Sequence, residues 1–440
     1  MAGRGNIMNI LVINGSPAGN NSITLQTVHY LERHFPECHF DILHAGAQIR
    51  KMEKDFAPCA EALESADLLL FCYPVYTFLV PAQLHRFIEL MKEHTPSLQG
   101  KYATQLTTSK HFYDTTAHQF IEDNCKDLGL SCIRGLSADM EDLLKEKGRK
   151  EALDFFRFVL WNMQPECVSV RTASLSDTLR VAVVTDLSGD TDHHLQHLIT
   201  QFQSVMPCEV SVTDLAGFPF AGGCLGCFHC ASDGTCIYKD GFDDYLREQI
   251  QSASAIVYAY RIKDHSMGYR FKLYDDRQFC NGHRTVTMGK PVGYLVCGDL
   301  EKEPNLQVLM EARAQVGGNF PAGIVSVPAD AQEIHADEIR RLAATLFYAL
   351  QTDYQPPKNF YGVGGLKIFR DLIYQMQGLM KADHKFYKEH GFYDDFPQKH
   401  RLRIAAMYLV GGMMRSKSLS RKIGSKMTEG MLMPYKKVLK

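Results

Sequence analysis

The sequence predicts two tandem doubly wound parallel α/β domains followed by a helical, basic C-terminal extension. Three observations carry this. Short strands that are apolar on both faces alternate with helical patterns, as in a parallel sheet covered on both sides. The alternation restarts near residue 179 in the same order, which reads as an internal duplication at domain scale. From Pro356 onward the strand pattern stops, and 17 Lys/Arg stand against 6 Asp/Glu.

The elements follow in order. Asn9-Ile10-Leu11-Val12-Ile13-Asn14 is an apolar strand closed by Gly15-Ser16-Pro17, and a helical pattern covers 24–35. Residues 38–43 form a second strand, 56–65 a helix and 66–72 a continuous apolar strand ending at Tyr73-Pro74-Val75-Tyr76. A helix at 82–92, a strand at 102–107 and a helix at 116–128 complete the first set. The second set has strands at 179–184, 209–212, 253–259 and 292–296, with helices at 192–205 and 243–252. Helical spacing returns at 368–380, 402–414 and 423–432. The expected domains are 1–165, a linker at 166–178, 179–354 and the extension 355–440.

The chain has 440 residues, 45% of them hydrophobic, and a net charge of -2. That balance implies no global attraction to nucleic acid. No apolar run reaches the length of a membrane span. Thirteen cysteines without an export signal point to free thiols and metal ligands rather than disulfides, and to a cytoplasmic protein.

The loop Gly15 to Thr24 sits between a strand and a helix. Small and hydroxyl residues leave backbone N–H groups free at a helix N-terminus, where the dipole favours an anion. No Gly-Lys-Ser/Thr occurs there, which excludes a nucleoside triphosphate loop. Ligands of doubly wound sheets lie beyond the carboxyl ends of the strands. Pro74-Val75-Tyr76-Thr77 and the loop from Thr108 to Tyr113 should meet at that edge. A plain strand-to-helix turn that binds nothing is the alternative.

Gly-Ser-Pro with Asn-Ser-x-Thr, then Tyr-Pro-Val-Tyr with Pro-Ala-Gln-Leu, resembles the NAD(P)H-dependent FMN reductases of the flavodoxin-like fold. The resemblance covers most of the first 165 residues. It implies that Ser16, Asn21, Ser22 and Thr24 bind the FMN phosphate. Pro74, Val75, Tyr76 and Thr77 would pack on the flavin, with Thr108, Ser109, Phe112 and Tyr113 opposite. Ala18 stands where many relatives carry Arg, so the phosphate would rely on backbone and hydroxyl donors.

Cys224, Cys227, Cys230 and Cys236 form a C-x2-C-x2-C-x5-C run. Thiolates three residues apart can converge on one compact cluster. Zinc accepts four thiolates, but its usual pattern is two separated C-x2-C pairs. A redox-active thiol set without metal is the third reading. The run and its flanks resemble the iron–sulfur flavoproteins, which implies a [4Fe–4S] cluster. The helix carrying Lys272, Asp276 and Arg277 resembles the one that follows this loop there.

The second half has a degraded phosphate loop, Thr185 to Asp192, whose three carboxylates would repel a phosphate dianion. Subunits of the family pair so that one cluster faces the partner's flavin. The complementary motifs therefore suggest such a pair fused into one chain, with FMN in the first half and the cluster in the second. The function implied is an NAD(P)H oxidoreductase passing electrons through FMN and a [4Fe–4S] cluster to a small-molecule or protein acceptor such as ferredoxin. A non-enzymatic electron carrier and a zinc-stabilised interaction protein are the alternatives. The hydride step requires no protein acid or base, so no catalytic residue is assigned. A homodimer is an assembly to expect. The basic extension reads as a packed helical segment, a docking face for an acidic redox partner or a peripheral membrane contact.

Overall fold

The computed structural model describes residues 8–95, 97–164, 179–188, 190–191, 193–227, 229–328, 336–394, 402, 405 and 432–439. The expected linker and nearly all of the expected helices 402–414 and 423–432 lie outside the described residues. The chain divides into two compact units, one of residues 1–163 with 396–440 and one of residues 164–395.

The first unit runs β1 (Met8–Asn14), α1 (Ile23–His34), β2 (Cys38–Leu43), α2 (Ala45–Met52), α3 (Ala57–Ser65), β3 (Leu68–Pro74), α4 (Ala82–His94), β4 (Tyr102–Ser109), α5 (Asp114–Asp127), β5 (Ser131–Cys132), β6 (Leu136–Asp139) and α6 (Glu146–Asn162). All pairings are parallel, in the order β2-β1-β3-β4-β5, with β6 also on β4. The central strand β3 is buried along nearly its whole length. Its Tyr73 hydroxyl is satisfied inside the core by Gln105 at 2.6 Å.

The second unit repeats the plan with β7 (Arg180–Thr185), α7 (His194–Val205), β8 (Glu209–Asp214), α8 (His229–Asp233), α9 (Phe242–Tyr245), β9 (Ala255–Arg261), α10 (Tyr269–Arg277), β10 (Pro291–Cys297), α11 (Pro304–Gly317), β11 (Phe320–Val327) and α12 (Ala336–Thr352). Its strand order is β8-β7-β9-β10-β11, again all parallel. Both sheets therefore have the 2-1-3-4-5 order of the flavodoxin-like fold.

Two expectations are corrected. The helix expected at 243–252 is α9 followed by a π-helical turn over Leu246–Gln251. The helix expected at 368–380 is α13 (Phe360–Gln375), and a separate helix α14 (Lys381–Glu389) follows it. Helix α13 starts eight residues early because the Asn359 side chain accepts from the Tyr361 amide at 3.1 Å. Two of its three glycines are contacts rather than breakers: a Cβ on Gly362 would lie 2.9 Å from the Gln315 carbonyl, and one on Gly365 2.7 Å from Val316, both on α11.

Helices α13 and α14 belong to the second unit, whereas a short final helix α15 (Tyr435–Val438) belongs to the first. Tyr435 is buried with Leu432 against Tyr30 and Leu143, and its hydroxyl donates to the Met140 carbonyl. Among the described residues no helix is long and apolar enough to cross a membrane.

Truncating Tyr435 to Ala should cost the first unit about 3 kcal/mol, the usual loss for a buried aromatic. Urea unfolding followed separately in the two units checks this. A shift in the second unit's transition instead of the first's would contradict the packing.

Candidate functional site

The carboxyl edge of the first sheet opens into a cavity of about 510 Å³. Three loops line it. From the β1–α1 loop come Ser16, Ala18, Asn21, Ser22, Ile23 and Thr24, and from the segment after β3 come Pro74, Val75, Tyr76, Thr77 and Phe78. The end of β4 and its loop add Thr108, Ser109, Lys110 and Phe112, and Met140 completes the lining. Every residue selected from the sequence for this edge is therefore brought to one cavity except Tyr113. That side chain packs instead on Phe78 and Phe112, with ring centroids 4.9 and 5.0 Å away.

The first loop is braced from within. The buried Asn14 side chain accepts from the Ser16 amide at 3.1 Å and donates to the Gly19 carbonyl at 3.0 Å. Ser22 caps α1 by accepting from the Leu25 amide. The amides of Ile23 and Thr24 precede the start of the helical ladder and stand at the positive end of the helix dipole. The Thr24 and Thr108 hydroxyls meet at 2.6 Å, which ties the first loop to the third. One hydroxyl proton serves that bond, and the other is left for a ligand. The lining includes no carboxylate, and Lys110 brings a cation, paired with Asp139 at 2.7 Å.

The second loop is a strained turn. Tyr76 and Leu79 exchange backbone hydrogen bonds of 2.8 and 3.0 Å, and the two residues between, Thr77 and Phe78, have φ of 45° and 72°. Positive φ at both central positions is the I′ geometry that usually demands Gly or Asn. Thr116 on α5 holds the turn by donating to the Phe78 carbonyl. The result is a ridge of half-exposed aromatics, Tyr76, Phe78 and Phe112. Sequence reasoning missed Phe78, Lys110, Ile23 and Met140. Phe78 and Lys110 lay next to selected residues, whereas Met140 is remote in sequence and carried no signal.

In the second unit Cys224, Cys227, Cys230 and Cys236 line one cavity of about 250 Å³ with largely apolar walls. Cys280, a fifth thiol that the spacing did not suggest, lines it too. Burial pushes the Cys230 thiol up and the Cys280 thiol up to about 12. Among the described residues no group of three or more His, Cys, Asp or Glu is placed to hold a metal ion. Phe228, within the run, lies outside the described residues.

Two buried ion pairs shape this loop. Arg277 on α10 makes a bidentate pair with Asp240 at 2.7 and 2.8 Å and donates to the Gly222 carbonyl at 3.0 Å. Asp240 also accepts from the Ala221 amide at 3.0 Å, so one guanidinium–carboxylate pair closes both ends of the cysteine segment. Asp383 on α14, fully buried, accepts from His283 Nδ1 and Arg284 at 3.0 Å. Arg284 in turn donates to the Cys280 carbonyl at 3.2 Å.

Residues 8–120 match the family of NADPH-dependent FMN reductases. The match runs from β1 into α5 and contains most of the three-loop cavity. The chain is 24% identical over 174 residues to an iron–sulfur flavoprotein of Archaeoglobus fulgidus, covering 38% of this chain and 79% of that one. Among solved structures, an NAD(P)H:quinone oxidoreductase from Methanothermobacter marburgensis is similar, at 14% identity and TM-score 0.31, over 40% of this chain and 95% of that chain. A general stress protein 14 from Treponema denticola in complex with FMN shows 13% identity and TM-score 0.28, over 36% of this chain and 99% of that chain.

The first unit's cavity suits a phosphate ester. It offers first-turn amides, hydroxyls from Ser16, Ser22 and Thr24, and no competing negative charge. The loop has little room to move: a Cβ on Gly46 of α2 would lie 2.4 Å from the Gly15 carbonyl. Gly46→Ala should therefore displace the loop and weaken FMN retention by about tenfold or more, while leaving the far-ultraviolet dichroism unchanged. Equal affinity in wild type and variant, by fluorescence titration, would count against this geometry.

The second unit should respond to acid through Asp240. Its hydrogen bonds from Arg277 hold the carboxyl down at about 2, against an ordinary 3.8. A depressed folded value means the stabilisation is present above the ordinary value and is lost as pH falls through about 2. Denaturant unfolding of the second unit should weaken progressively from about pH 5 to about pH 2. Asp240→Asn should be destabilised at neutral pH and show a flatter profile.

Proposed function

We propose that the chain is a flavin-dependent NAD(P)H oxidoreductase that holds FMN in its first unit and a [4Fe–4S] cluster in its second, and delivers electrons to a separate acceptor. The family match to FMN reductases supports the coarser part: the chain is an oxidoreductase that works with FMN and NAD(P)H. The observation that carries the site is the convergence of three sequence-distant loops on one carboxylate-free cavity at the helix α1 N-terminus.

FMN supplies two-electron hydride acceptance and one-electron release. The protein's part is to bind and orient. Ser16, Ser22, Thr24 and the α1 amides would hold the phosphate, with Asn21 at the rim. Pro74, Val75, Tyr76 and Thr77 would form one wall for the ring, and Thr108, Ser109 and Phe112 the other. Phe78 extends the aromatic wall toward solvent, and Tyr113 supports it from behind.

For the cysteines, support for a polynuclear cluster over zinc comes from geometry. The four thiols line one cavity of about 250 Å³ together with Cys280, and the Arg277–Asp240 pair holds their loop at both ends. The iron–sulfur flavoprotein relative favours the same reading. Cys224, Cys227, Cys230 and Cys236 would be the ligands.

The test is an absorption spectrum and iron analysis of the full chain, purified without oxygen and supplied with FMN. Flavin bands with a broad iron–sulfur shoulder are expected, together with NAD(P)H oxidation when an acceptor is added. Cys227→Ser should lose the iron and the shoulder and keep the flavin. Protein that binds zinc in place of iron, or stays colourless with added FMN, overturns the corresponding half of the proposal.

A further inference from the structure

The two units share more than strand order. The β1–α1 loop spans residues 15–22 and the β7–α7 loop residues 186–193, the same length. The turn after β3 also recurs after β9. Lys263 and Ser266 exchange backbone hydrogen bonds of 2.8 and 3.0 Å, with Asp264 and His265 at φ of 52° and 58°. That turn matches Tyr76 to Leu79 residue for residue, strain included. The correspondence places Asp190 where the first unit has Gly19, and Arg261 where it has Pro74.

These two replacements meet. The Asp190 carboxylate accepts from the amides of Leu195 at 3.1 Å and Gln196 at 2.8 Å, in the first turn of α7. Arg261 donates to the same carboxylate at 2.7 Å. Asp190 is 7% exposed. Burial works against its ionisation, yet the Gln196 amide, the Arg261 guanidinium and the Leu195 amide hold the carboxyl below its usual range. An anion thus already sits at the helix N-terminus, countered by a cation from the second loop.

We infer that the Asp190–Arg261 pair takes the place of a bound nucleotide phosphate in the second unit, so that the chain holds flavin phosphate at one edge only. The inference rests on the reading of the first cavity as an FMN site. Asp190 fills the anion position, and Arg261 occupies the place corresponding to the flavin wall residue Pro74. The second sheet is thereby freed of a cofactor at this edge, and its unit is left to the cysteine cavity. Removing the carboxylate while leaving Arg261 should reopen the position to an external anion.

The experiment uses the full chain saturated with FMN. Equilibrium dialysis should give one FMN per wild-type chain. Two per chain overturns the inference. None overturns the reading of the first cavity and leaves the second measurement to decide. That measurement follows the thermal transition of the second unit with added inorganic phosphate. Asp190→Ser should start lower than wild type and rise by about 3 °C at phosphate well above its dissociation constant, while wild type stays unmoved. Asp190→Gly, which places at this position the residue that the first unit carries at Gly19, serves if the serine variant does not fold, and should show the same gain. A folded variant that ignores phosphate, or a wild type that responds equally, overturns the proposal.

Discussion

A parallel sheet in this order sets one constraint that governs both units. The helix after the first strand aims its uncompensated amides at the carboxyl edge, and something must satisfy them. In the first unit the lining of that edge includes no acidic side chain and opens into a cavity. In the second unit the chain supplies its own carboxylate through Asp190. Two domains with one topology thus present opposite electrostatic demands at this edge.

The second constraint concerns the cysteine segment, which has little regular structure of its own. Its shape comes from charges buried behind it. Arg277 and Asp240 draw its ends together, and Asp383 reaches in from α14 to fix His283 and Arg284 beside Cys280. Buried pairs of this kind are costly to desolvate and stabilise little in net terms. Their effect here is to define one arrangement of a loop that carries four thiols, beside the Cys280 thiol that follows α10. A Cβ on Gly282 would lie 2.3 Å from the Asp383 carboxylate, so the close approach of α14 to this wall requires glycine.

Both units also hold a strained turn after the third strand of the sheet. Thr77 and Phe78 hold positive φ without being Gly or Asn, and the same turn recurs at Asp264 and His265 with different side chains. The same unfavourable backbone recurs in both units, and in the first the Thr116 hydroxyl on α5 holds it by donating to the Phe78 carbonyl. In the first unit the turn projects aromatic rings at the cavity. In the second it follows Arg261, which turns to the Asp190 carboxylate.

The sequence by itself determined the strand and helix alternation, the duplication and the loops at the first sheet's edge. These are local signals, written in period and in turn chemistry within a few residues. It did not reveal α2, whose eight residues include Gly46 and lack a side-chain cap, because that helix is stabilised by packing under the first loop. It placed the start of α13 too late, because two of the glycines there answer to α11 and not to their neighbours in sequence. Only the tertiary structure decided that Cys280 joins the four spaced cysteines, that Met140 closes the first cavity and that Arg261 neutralises Asp190. Each of these depends on two segments far apart in the chain arriving at one place, and a contact of that kind leaves no periodicity for a single sequence to show.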